Sequence, residues 1–291
     1  VLIADEAGRA LGFGRAGPGN HESVGYAGLT AAVRAAAGQA LAQAGLRLEH
    51  ITAAGLGIGG YDWPSQLADH RAALAEAGLT MPLEIVNDAV AGLLAGARAG
   101  WGLGLVAGTS CNCWGRDPQG RLGRMIGMGA HVGEYGGAAE LVRYADHDVA
   151  RAWTRRGPET RLAEVFVAHT QAADVADFLE RFSVGALPVT PAAAPLVIEA
   201  ARAMAAGGWR APLPRPFVVV LIGSLFLAGV VLLAPLRAAL AGGAPGARLV
   251  PLEAPPVIGG VVLALQQAGL ATGAARERLL ETTPILPLSQ L

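Results

Sequence analysis

Residues 217–235 read FVVVLIGSLFLAGVVLLAP, an uncharged apolar run as long as a bilayer span. How that run is read decides the fold class. One reading is a membrane helix. The other is a buried strand over Phe217 to Ile222, a turn at Gly223 and Ser224, and a helix from about Leu225 to Leu240. Valine crowds the first half, as a strand prefers. Arg210 and Arg215 before the run and Arg237 after it favour neither side of a membrane. The strand–turn–helix reading is adopted, with the membrane span as its alternative.

Composition limits the chemistry. The chain has 291 residues, 53% hydrophobic and 15% charged, which suits a large core and about two domains. A net charge of −1 argues against nucleic acid as a main partner. All 22 basic residues are arginine, so no lysine can form a Schiff base or serve a P-loop. The two cysteines, Cys111 and Cys113, are expected to be unbridged and reduced in a cytoplasmic protein. That expectation takes their side chains to point to opposite strand faces. A lone Cys-x-Cys, scattered histidines and the lack of an HExxH motif give no metal site. No positively charged signal peptide opens the sequence.

Along the chain, strands alternate with helices in two similar runs, the pattern of a two-lobed α/β protein. VLIADEAGRALGFGRAG reads as two strands around a turn at Glu6 to Gly8. A helix is predicted from about Ser23 to Ala44, ending at Gly45. Residues 51–60, ITAAGLGIGG, read as a buried strand, followed by a helix from Pro64 to about Ala77. LEIVND, 83–88, is a short strand running directly into a helix. Residues 102–129 have the look of a β-hairpin turned at Asp117 to Gly120. Helical segments follow at 138–152 and around 161–182 and 191–206. A last strand leads through Pro255 and Pro256 into VIGGVVLALQQAG.

Five places carry candidate chemistry. Gly55, Gly57 and Gly60 fit GxGxxG, but they lie within the strand and the helix is delayed by Tyr61 to Pro64. Close packing is the better reading, with Gly60 and Asp62 bordering a cleft. Asn87 and Asp88 stand where a strand ends and a helix begins, the place where open α/β sheets bind ligands; Asp88 as a plain helix N-cap is the competing reading. In VAGTSCNCWG, Gly108 permits close approach to the backbone, Thr109 and Ser110 add hydroxyls, and Asn112 adds an amide, as an anion site would need; an ordinary hairpin lip is the competing reading, and the better one for Gly-Thr-Ser alone. Gly133, Glu134, Gly136 and Gly137, and separately Gly223 and Ser224, precede helices whose N-termini they leave open to phosphate or adenine; tight strand–helix packing is the competing reading.

Taken in order, AGPGNH, GIGGYDWP, IVNDAVAGL, AGTSCNCWGRDPQGR, GAHVGEYGGAAEL, LIGSLFL and PPVIGGVVLAL resemble the BadF/BadG/BcrA/BcrD-type ATPases. That family includes N-acetylglucosamine and glucosamine kinases, and the resemblance spans about Val1 to Leu270. It implies an actin/hexokinase/Hsp70 fold, α/β, with two ribonuclease H-like lobes and ATP in the cleft between them. The implied lobes are 1–104 and 105–291, with the last helix, about 272–288, packing back on the N-terminal lobe. Asn20 resembles the asparagine that contacts the sugar, and Asp88 the catalytic base. Gly108, Thr109 and Ser110 resemble the second phosphate loop. Gly127 and Glu134 match segments that touch the sugar, with Glu134 standing where aspartate is usual and Tyr135 where glutamate is. Gly223 and Ser224 resemble the start of the adenosine segment.

The resemblance thus implies an ATP- and Mg²⁺-dependent kinase for an amino sugar, cytoplasmic, with Asn87 also at the substrate and a homodimer as its assembly. Sugar and ATP are the expected partners, with no nucleic acid or membrane. Two alternatives are an ATPase activator of a dehydratase or reductase and a non-catalytic sugar-binding relative. The family opens with a strand and a DGGGTKT-like phosphate turn. This sequence begins at what resembles the second strand, so the expectation is a truncated or late-called start and weak activity.

Overall fold

The computed structural model describes residues 1–108, 110–125, 136–183, 216–244 and 246–283. Strands β1 (Leu2–Ala4) and β2 (Ala10–Phe13) pair antiparallel around the expected turn, where Gly8 N–H donates to Asp5 O. Helix α1 (His21–Ala44) begins earlier than predicted, because Asn20 caps it. It ends at Gly45 in the left-handed conformation, as predicted. Gly25, at φ 67° and ψ 173°, interrupts the helix after its first turn.

Strands β3 (Ala54–Ile58) and β4 (Leu83–Asn87) pair in parallel, with Ile58 opposite Asn87. Between them lie a turn of 3₁₀ helix (Pro64–Gln66) and helix α2 (Leu67–Glu76); α3 (Asp88–Gly96) follows β4 directly. β3 is less buried than predicted: Ile58 alone of its residues is fully buried. The packing reading of its glycines holds. A methyl on Gly55 would lie 2.1 Å from Gly260 O, and one on Gly57 would lie 2.4 Å from Ala91 Cβ.

The apolar run resolves into sheet and helix. β8 (Phe217–Ile222) sits inside a five-stranded sheet with β5 (Gly102–Ala107), β6 (Cys111–Arg116), β7 (Leu122–Arg124) and β9 (Ala247–Pro251). The order is β7-β6-β5-β8-β9; β5, β8 and β9 run parallel, while β5, β6 and β7 alternate. Hence Gly102 to Arg124 holds two hairpins: the predicted one at Asp117 to Gly120, and another between β5 and β6, where Ala107 pairs with Cys111. The helix predicted after Gly223 is instead a 3₁₀ segment, Ser224–Ala228, then α7 (Val230–Gly243), because Gly229 breaks the continuity. Among the described residues no helix is long and apolar enough to cross a membrane.

Helices α4 (Ala138–Trp153), α5 (Leu162–Thr170) and α6 (Val175–Ser183) pack together, with Phe178 buried 5.1 Å from Phe166, ring to ring. The segment predicted at 191–206 lies outside the described residues. On α4, Asp146 is buried with no partner for either carboxyl oxygen among the described residues. Burial pushes its carboxyl up to about 6, against a smaller downward pull from His147. Helix α8 (Val257–Gln267) packs on β3 and α3. Helix α9 (Gly273–Thr282) reaches the first hairpin, where Thr282 Oγ1 accepts from Ala10 N at 3.0 Å. Its Arg276 donates to the carbonyls of Leu94 and Ala95 at the end of α3.

Cys111 and Cys113 are free and buried. The expectation of no disulfide holds, but its reason does not. Two positions apart on β6, they share a face rather than opposing each other. At about 6.6 Å along an extended strand, they sit at the long end of what a disulfide bridges, with side chains that run side by side. Burial, reinforced by neighbouring Cys111, raises the Cys113 thiol far above its ordinary value, so it is a packing group.

Candidate active site

The parallel pairing of β3 with β4 brings Gly59 to Asp62 and Asn87 to Asp88 to one sheet edge. Asn87, not Asp88, is the cap of α3: its Oδ1 accepts from Ala89 N at 3.0 Å. Its Nδ2 donates to Tyr61 O and to Asp62 Oδ1, both at 3.2 Å, and the side chain is 1% exposed. The amide predicted at the substrate is therefore directed into the protein, where it ties the loop after β3 to the start of α3.

Asp88 is the first residue of α3 and is exposed, although protein atoms surround it closely. That combination fits a carboxylate on the floor of an open cleft. Desolvation pushes its carboxyl above the usual aspartate value, opposed by the N–H groups of Ala89 and of Asp88 itself. Desolvation is thus the larger effect, and the helix N-terminus opposes it.

Asn20 approaches the same place from α1. Its Oδ1 accepts from Glu22 N at 2.9 Å. Gly60, at φ +82°, has no side chain where a methyl would lie 2.4 Å from Asn20 Oδ1, and a methyl on Gly59 would lie 3.4 Å from Asp88 Oδ2. Asn20 and Asp88 thus flank a bare stretch of backbone, which is what a polyhydroxylated ligand needs to approach closely. Below it, the buried His70 ring packs edge-on against His21, Tyr26 and Tyr61 and holds Gln66 O through Nδ1 at 2.8 Å.

Asp62 is more than a border residue. Besides Asn87, it meets Arg124 of β7, with Nη1 to Oδ1 at 3.3 Å, and hydrogen-bonds the Asn112 side chain. Arg124 also lies over the Trp63 ring at 4.1 Å from its centroid and near Trp114 at 5.3 Å. Arg124 was not among the residues to which the sequence pointed. Its signal was weak: a single arginine on a short strand after a turn.

The predicted phosphate residues gather at the ends of β5 and β8. Gly223, at φ +115°, crosses so near β5 that a methyl would lie 2.3 Å from Ala107 O. Ser110 and Ser224 are exposed beside that crossing. Asn112 alternates with the two cysteines and so faces away from the thiols, toward Asp62. At Gly108 the space a side chain would fill is open, while its N–H donates to Ser110 O at 3.0 Å and so is engaged within the hairpin. Gly223 opens a short 3₁₀ segment rather than an α-helix. Thr109, Gly127 and Glu134 lie outside the described residues.

No family model matches the chain. By sequence it is 26% identical over 142 residues to the N-acetylmuramic acid/N-acetylglucosamine kinase of Clostridium acetobutylicum. That match takes in 49% of this chain and 44% of the relative, so the chain aligns with less than half of that relative's length. By structure it resembles a candidate N-acetylglucosamine kinase from Porphyromonas gingivalis, at TM-score 0.55 and 16% identity, over 92% of this chain and 94% of that one. A second candidate N-acetylglucosamine kinase, from Chromobacterium violaceum, aligns at TM-score 0.50 and 21% identity, over 89% of this chain and 90% of that one. The fold is the mixed α/β, actin-like ATPase fold of these proteins.

Proposed function

We propose that the protein is an ATP-dependent sugar kinase acting on an amino sugar such as N-acetylglucosamine or glucosamine, with Asp88 as its general base. The observation that carries this is the exposed Asp88 carboxylate at the end of β4, flanked by Asn20 and the bare Gly59–Gly60 backbone. The names of the relatives by sequence and structure support the same reading.

A sugar hydroxyl is a weak nucleophile until its proton is accepted as the new P–O bond forms. Asp88 would orient that hydroxyl and take its proton, while Asn20 would hold a neighbouring hydroxyl. The chain fits a nucleotide at the β5–β8 edge: Ser110 and Ser224 offer exposed hydroxyls there, and Gly223 leaves space for close approach. Bound there, ATP with Mg²⁺ would supply the γ-phosphoryl group and the charge that offsets its oxygens. Serine hydroxyls and arginine would stand in for lysine, which the chain lacks. In this reading the cleft lies between the β3–β4 edge and the five-stranded sheet, near the lobe boundary expected at residue 104.

The test is ADP release by the purified protein with N-acetylglucosamine, glucosamine, N-acetylmuramic acid and glucose. Sugar-dependent release, highest for an amino sugar, is expected. Release that no sugar raises above the blank overturns the reading.

A further inference from the structure

We propose that Arg124 is a positioning residue, holding the two walls of the cleft together through Asp62 and setting the electrostatic field in which Asp88 works. This deepens the kinase reading and rests on it. Asp62 stands on the loop after β3, Arg124 on the edge strand of the five-stranded sheet, and their side chains are only 18% and 15% exposed. An ion pair this far out of water is poor at stabilising a fold, because desolvation offsets most of the attraction. Its placement suggests another role. One Asp62 oxygen receives both Arg124 and Asn87, and Asn87 in turn caps the helix that begins with Asp88. A shift of Arg124 therefore reaches Asp88 through two hydrogen bonds and a helix cap.

The surroundings agree. The exposed Trp63 indole lies over the guanidinium and shields it from water. Burial does most to raise the Asp62 carboxyl; Arg124 pulls it down, and Glu22 and Asp88 push it up further. Asp88 itself faces Asp62 and the N–H groups of α3. Arg124 is the cation placed against these carboxylates, through its contact with Asp62.

The test uses charge rather than bulk. Arg124→Gln removes the cation, so Asp88 binds its proton more tightly. The acidic limb of the kcat/KM pH profile then moves up by about half a pH unit or more, and kcat falls more than the sugar KM rises. Asp62→Asn keeps an acceptor for Asn87 but removes a negative charge, so the limb moves down. Arg124→Lys restores its position. Carbon-13 NMR titration of the aspartate carboxyls, assigned with Asp88→Asn, reads the same opposite shifts without turnover. A kinase that is active but whose limb stays fixed in all three variants overturns the inference. If no sugar is phosphorylated, the kinase reading fails, and the NMR shifts still decide whether Arg124 governs Asp88. Should Arg124→Gln not fold, Asp62→Asn against Arg124→Lys carries the comparison.

Discussion

The two sides of the candidate cleft are built differently. At the β3–β4 edge, named side chains hold one another: Asn87, Asp62, Asn112 and Arg124 form a connected polar cluster beside Asp88. At the β5–β8 edge, backbone meets backbone: Gly223 against Ala107, Gly108 against Ser110, with short hydroxyls outside. The first edge is sensitive to charge and functional group. The second is sensitive to volume and tolerant of chemistry. A sugar, defined by the pattern of its hydroxyls, suits the first; a polyphosphate, defined by charge and bulk, suits the second.

Asp88→Asn breaks this contrast most strongly. It retains size but loses the base, so kcat should fall about 10²- to 10⁴-fold with sugar Kd nearly kept. Steady-state kinetics and calorimetry check this, and a variant within about threefold of normal kcat would leave Asp88 with no catalytic part. Because Asp88 is pushed upward by desolvation, the acidic limb of the unmodified protein should lie above an ordinary aspartate near 3.9.

On the other edge, Gly223→Ala adds only a methyl, yet it meets Ala107 O and a positive φ. A loss of about 2–3 kcal/mol in unfolding free energy is expected, read by denaturant melts, with ATP affinity falling and sugar affinity kept. A matching loss of sugar affinity would show that the two edges are one unit.

Asp146 belongs to neither edge and serves as a control. Its folded carboxyl binds a proton up to about 6, above the unfolded value near 3.9. The stability that this proton adds is full below about pH 4 and is lost as pH rises through about 6. Asp146→Asn should therefore stabilise the protein by roughly 1–2 kcal/mol at pH 7.5 and by little at pH 4, with kinetics unchanged. The smallest effect is expected for Ser110→Ala: one hydroxyl among several, costing about 0.5–1.5 kcal/mol, or at most about tenfold in ATP KM.

Much of this was legible in the sequence because it is local. An apolar strand ending in Asn-Asp announces the β4–α3 junction, and crowded valines followed by Gly-Ser announce β8. Which of Asn87 and Asp88 caps the helix was not legible, since both residue types cap well and only the Asp62 contact selects Asn87. The Gly108 hydrogen bond was hidden because the hairpin between β5 and β6 depends on how the two strands register. Arg124 was invisible for a stronger reason. It is 62 residues from Asp62 in the chain, and composition carries no record of which distant charges meet.

The stacking of Arg124 on Trp63 has a practical consequence. Trp63 is half in solvent, and the guanidinium covering it comes from the opposite wall of the cleft. Its fluorescence is therefore an optical reading of the gap between the walls. Opening exposes the indole and reddens its emission; closing on a ligand shields it and shifts the emission back. The other tryptophans set a background that Trp63→Phe subtracts. Any change in that gap would thus be read without an attached dye.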